Sequence, residues 1–125
     1  MFELQDPVYR QTIRFCFGGD DKTLVDLIKE TDGCLEDDPG EFSTGIVYEN
    51  RFSKDAPPAF WIWIRRFRGS VADYAFLAHE LSHLIDAVLI WLEVPFTEDT
   101  TEPRACLVEY YFEQILTHIR EVRRK

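Results

Sequence analysis

A chain of 125 residues is one domain's worth of sequence, long enough for one modest core and too short for two lobes around a cleft. Its formal charge of −9 excludes a nucleic-acid footprint, since phosphate binding needs clustered cations. The basic clusters are short: Arg65, Arg66 and Arg68, then Arg123, Arg124 and Lys125.

Cys16, Cys34 and Cys106 are odd in number and widely spaced, so neither a disulfide framework nor a cysteine zinc site is expected. That usage fits a reducing cytoplasm. The first residues, MFELQDPVYR, lack the basic start and apolar run of a signal peptide. The longest apolar stretch, Leu84 to Phe96, is interrupted by Asp86 and Glu93 and is too short to span a bilayer. A soluble cytoplasmic protein without membrane or nucleic-acid partners is the expectation.

Val8 to Phe17 reads as a strand by its alternation, stopped by Gly18 and Gly19. Asp20 or Asp21 then caps a helix through about Thr31, with Leu24, Leu27 and Ile28 on one face and an end near Gly33. Cys34 to Thr44, CLEDDPGEFST, is a polar loop without calcium-loop spacing. Gly45 to Glu49 is a short strand, Asn50 to Pro58 turns, and Ala59 to Phe67 is a stronger strand that is apolar on both faces. In peptide-cleaving zinc enzymes the strand before the metal helix often borders the cleft, although Trp61 and Trp63 can equally fill the core.

Gly69 and Ser70 open the next helix, Ser70 as N-cap and Asp73 as the capping-box acid. Apolar residues recur from Tyr74 through Leu77, Ala78, Leu81, Ile85, Val88, Leu89 and Leu92 at the helical period, with a stop at Pro95. Pro95 to Thr101 links to a last helix from about Glu102 to Arg123, where Pro103 suits the first turn and the basic end suits the dipole. The order strand, helix, strand, strand, helix, helix predicts an α+β domain: a small sheet with two long C-terminal helices on one side.

Inside the fifth element, Leu77 to Asp86 reads LAHELSHLID and contains HExxH. Histidines four apart lie on one face of a helix, one turn above the other, where two imidazoles can share an ion. His79 and His83 are therefore the expected ligands, and Glu80 the carboxylate placed to take a proton from water. Ligands at i, i+4 and i+7 would spread over about 10 Å of straight helix, so Asp86 is read as an outer carboxylate or a rim residue.

Two histidines and a water leave one position of a tetrahedral zinc site for the protein. His118 lies deep in the final helix, so a downstream carboxylate is the natural third ligand. Glu102 follows His83 by 19 residues and is the first choice; Glu109 is the alternative. Around the last helix the apolar stripe is Val108, Tyr111, Phe112, Ile115, Ile119 and Val122, while Glu102, Glu109 and Glu113 share another side. Tyr110 or Tyr111 could donate to a transition-state oxygen, though each has packing to do.

With these pieces in place the sequence resembles the gluzincins, the thermolysin-like zinc peptidases in which a glutamate from a following helix completes HExxH. It looks more closely like short HExxH proteins of phages and prophages, in which the metal helix is followed by a Glu-x-x-Ala segment. Ala78 to His83 and Glu102 to Ala105 match those pieces across the C-terminal half, with Cys106 where those proteins carry an aromatic. The resemblance implies a zincin-like fold, a Zn2+ cofactor and hydrolysis of a protein or peptide substrate. The other reading is a non-catalytic phage or host-interaction protein, with a structural metal site or an acidic surface that acts as a decoy.

Overall fold

The computed structural model describes residues 1–6, 9–35, 45–51, 53 and 55–124. Val8 and most of the Cys34–Thr44 loop lie outside the described residues. The elements run β1 (Phe2–Gln5), β2 (Thr12–Phe17), α1 (Asp21–Asp32), β3 (Gly45–Asn50), β4 (Ala59–Ile64), α2 (Val71–Trp91), a 3-10 turn (Glu98–Thr100) and α3 (Thr101–Arg124). They form a mixed sheet in the order β1-β2-β4-β3, with β2 parallel to β4 and both outer pairs antiparallel. This is an α+β arrangement.

The alternation of the strands decides what covers each face. Ile13 and Phe15 of β2, with Phe60, Ile62 and Ile64 of β4, point to α2 and α3 and make the main core with Leu77, Leu81, Val88, Tyr111, Ile115 and Ile119. Cys16, Tyr48, Trp61 and Trp63 point the other way, onto Leu24 and Ile28 of α1. Both tryptophans are therefore core residues, 1% exposed, and each indole N–H is paired: Trp61 donates to Asp32 at 2.8 Å and Trp63 to the Gly18 carbonyl at 2.8 Å. Asp32 also accepts from Asn50 Nδ2 at 2.7 Å and pairs with Arg14, which ties the end of α1 to three strands.

β1 is an element the alternation pattern does not announce, because only four residues pair and Leu4 alone is buried. β2 begins at Thr12 rather than Val8, since a turn precedes it. Asp6 is 1% exposed, and its carboxylate accepts from Tyr9 N and, at 3.0 Å, from Gln11 N. Arg10 takes a positive φ of 56° in that turn.

β4 ends at Ile64, three residues earlier than its apolar run. α2 ends at Trp91, ahead of Pro95, in a Schellman-type reversal: Val94 N donates to Leu89 O at 2.9 Å and Glu93 N to Ile90 O at 3.1 Å, with Glu93 left-handed at φ 58°. On α3 the buried stripe begins at Leu107, not Val108, which is 43% exposed, and Val122 is 41% exposed. No helix is long and apolar enough to cross a membrane among the described residues.

Candidate metal centre

The start of α2 is fixed by reciprocal capping. Ser70 Oγ accepts from Asp73 N at 3.1 Å, and Asp73 Oδ2 accepts from Ser70 N at 3.1 Å and Arg68 N at 2.7 Å. The donated N–H groups, that of Arg68 first, hold the Asp73 carboxyl below the usual carboxylate range. From that cap the helix carries Leu77, Leu81, Leu84, Ile85, Val88 and Leu89 into the core. The motif histidines are left on the outer side, both exposed.

His79 and His83 hold their Nε2 atoms 3.2 Å apart, with ring planes at 83°. Two nitrogens each about 2.0–2.1 Å from one tetrahedral ion would stand about 3.3 Å apart, so the pair has the bite of two zinc ligands. The same separation suits an N–H···N bond between the rings. Phe76 stacks beside His79, ring centroids 6.3 Å apart and planes at 14°.

Glu80 lies one position past His79 and is 8% exposed. Among the described residues its carboxylate has neither hydrogen bond nor ion pair, and it lines a cleft of about 450 Å³ with His83, Ala87, Gly45, Ile46, Val47 and Glu49. Its stem is packed while its carboxylate opens to the cleft, where it can meet a water. The cleft touches consecutive β3 residues from both faces of the strand, so it is bordered by the strand's edge. β3 is an outer strand of the sheet, while β4, which precedes α2, is interior.

α3 approaches the histidines from the other flank of α2. Arg104 Nη1 reaches Asp86 Oδ1 at 3.1 Å, which makes Asp86 an ion-paired, half-buried residue one turn past His83. This latch holds the first turn of α3 beside that end of the motif. Glu102, in the same turn, is exposed and lies 3.7 Å from Cys106 Sγ. Glu109 lines a separate apolar groove between α2 and α3, with Ala78, Ser82, Val108 and Phe112. Among the described residues no three His, Cys, Asp or Glu side chains come together as a metal site. The structure sets the two histidines together and places Glu80 in one cleft with His83, while Glu102 and Glu109 form no three-residue group with them among the described residues.

The two tyrosines have different surroundings. Tyr111 is fully buried and donates to Asp6 Oδ2 at 3.1 Å, which anchors α3 to the β1–β2 turn and keeps its hydroxyl away from the cleft. Burial, then the Asp6 charge, pushes its phenol well above the ordinary value. Tyr110 is half-buried and packs against the core beside Tyr111, ring centroids 5.9 Å apart. His118 stacks on Phe2 at 4.5 Å, with the rings of Phe15 and Phe17 at its edges, apart from the His79–His83 contact.

Sequence reasoning missed Glu49, Gly45 and Phe76. Their role follows from β3 being an outer strand against α2, which strand order decides and local pattern does not. The chain matches no family model, no curated protein and no solved structure.

Proposed function

We propose that the protein is a zinc-dependent hydrolase acting on peptide bonds, with Glu80 as general base. The observation that carries this reading is Glu80 itself: unpartnered among the described residues, and opening into a cleft it shares with His83, whose Nε2 lies 3.2 Å from that of His79.

His79 and His83 would supply two nitrogen ligands, and Glu102 is the proposed third; it lies in the same helical turn as Arg104, which pairs with Asp86 one turn past His83. Zinc, when bound, supplies Lewis acidity toward a carbonyl and a water. Glu80 accepts the proton of the attacking water at its carboxylate and passes it to the departing amine. The outer edge of β3 offers main-chain donors and acceptors to an extended peptide laid along the cleft, which favours a peptide over a small ester. Phe76 packs against His79 and limits the positions its ring can take.

The metal is not what holds this fold together, because α2 is capped by Ser70 and Asp73 and packed through its leucines while both histidines face outward. That favours catalysis over a structural metal. The test is Glu80→Gln assayed on an unfolded protein substrate with zinc content measured in parallel. Loss of cleavage with zinc retained is expected; cleavage at the wild-type rate removes the mechanism.

A further inference from the structure

Beyond the reacting groups, the cleft has a second carboxylate. Glu49, on the same strand edge, lines it with Glu80 and His83, and no Lys or Arg is among the lining residues. Arg51 is ion-paired with it, Arg51 Nε lying 3.8 Å from Glu49 Oε1, beyond hydrogen-bond length. Arg51 also lies over the ring of Trp91, 5.5 Å from its centroid. The pairing leaves Glu49 with capacity for another cation.

The position of Glu49 along the cleft follows from the way β3 and α2 lie together. Gly45 sits against Phe76 at one end and Arg51 against Trp91 at the other, so strand and helix run alongside in the same direction. From Phe76 to Glu80 the helix rises about 6 Å, which is about two strand residues and falls opposite Val47. Glu49 is two residues further, about 7 Å on, with its side chain on the same face of the strand as Val47.

A peptide extended along this edge therefore presents a side chain to Glu49 about two residues from the bond that faces Glu80. We infer that Glu49 makes the cleft selective for peptides carrying Lys or Arg at that distance from the scissile bond. An acidic residue there meets the Glu49 carboxylate, so its exclusion adds to the attraction of the cation. The inference rests on the peptidase reading for its meaning, and it can be measured apart from it.

The experiment uses fluorescein-labelled extended peptides of Ala and Ser that carry one Lys, one Glu or no charge, with binding read by anisotropy on the Glu80→Gln chain. The Lys peptide is expected to bind about fivefold tighter than the Glu peptide, the factor that one partly exposed ion pair supplies. Glu49→Lys on the same background is expected to reverse that order, with circular dichroism confirming that the variant is folded. Equal affinities, no binding by any peptide, or an order that survives Glu49→Lys overturns the inference. Cleavage of the same peptides by the wild-type chain separates the two claims. Binding with the expected order but no cleavage sinks the hydrolase and leaves the Glu49 selectivity standing; cleavage indifferent to charge does the reverse.

Discussion

The ring of Phe76 lies where a side chain on Gly45 would have to go. A Cβ built on Gly45 would stand 2.9 Å from Phe76 Cε1 and 2.6 Å from the Trp63 carbonyl oxygen, one neighbour movable and the other backbone. The absence of a side chain lets α2 pack close to the β3 edge and sets the width of the cleft at its Phe76 end. Gly45→Ala is expected to destabilise the fold by about 1–3 kcal/mol, as overpacking does. Because Phe76 also stacks on His79, the same variant should weaken zinc binding. Denaturant unfolding and a zinc titration check the two effects; wild-type values in both would mean that the packing relaxes at no cost.

Tyr111 and Asp6 make a different prediction, of stability without chemistry. Tyr111→Phe removes a phenol donor to a carboxylate that is 1% exposed and leaves two backbone donors in place. The expected loss is about 1–3 kcal/mol of unfolding free energy with zinc affinity unchanged. A fall in zinc affinity would place Tyr111 in the site after all.

The response to acid follows from three groups whose folded pKa values lie below their ordinary ones. Thr23 holds the Asp20 carboxyl low, first through its side-chain hydroxyl, and the Arg68 and Ser70 N–H groups do the same for Asp73. Burial among aromatic rings lowers His118, helped by the N-terminal charge and opposed by Glu121. For a lowered pKa the unfolded chain binds more protons, so stability rises with pH through that window. The His118 contribution is complete above 6.5 and fades as pH falls below it, and the two aspartates begin to lose theirs below 3.8. Melting temperatures taken downward from neutral pH should show both declines, and His118→Phe should flatten the first. A melting temperature that rises as pH falls through the first window would contradict the assignment.

Much of this architecture was legible because local rules sufficed. The Ser70–Asp73 capping box, the Asp20 cap, the left-handed Gly33 and the leucine stripe of α2 each depend on residues within one or two turns of each other. What escaped was non-local. β1 is held by pairing with β2, and the Asp6 turn that separates them is anchored by Tyr111 from the other end of the chain. Asp32, at the end of α1, accepts from Asn50 and Trp61, partners 18 and 29 residues away.

The site divides along the same line. His79 and His83 meet because helical spacing alone brings them together, whereas a third ligand depends on how α3 returns past α2. Sequence could nominate Glu102 but could not set its side chain. Glu49 joins the cleft only through strand order, which no spacing within the sequence encodes.

The central claim is that the two imidazoles of α2 hold a divalent ion, and zinc titration of the metal-free chain tests it most directly. One zinc per chain is expected, with His79→Ala abolishing the site, Glu102→Gln weakening it by at least about tenfold and Glu109→Gln leaving it unchanged. No zinc bound by the wild-type chain, or binding that His79→Ala leaves intact, would contradict it.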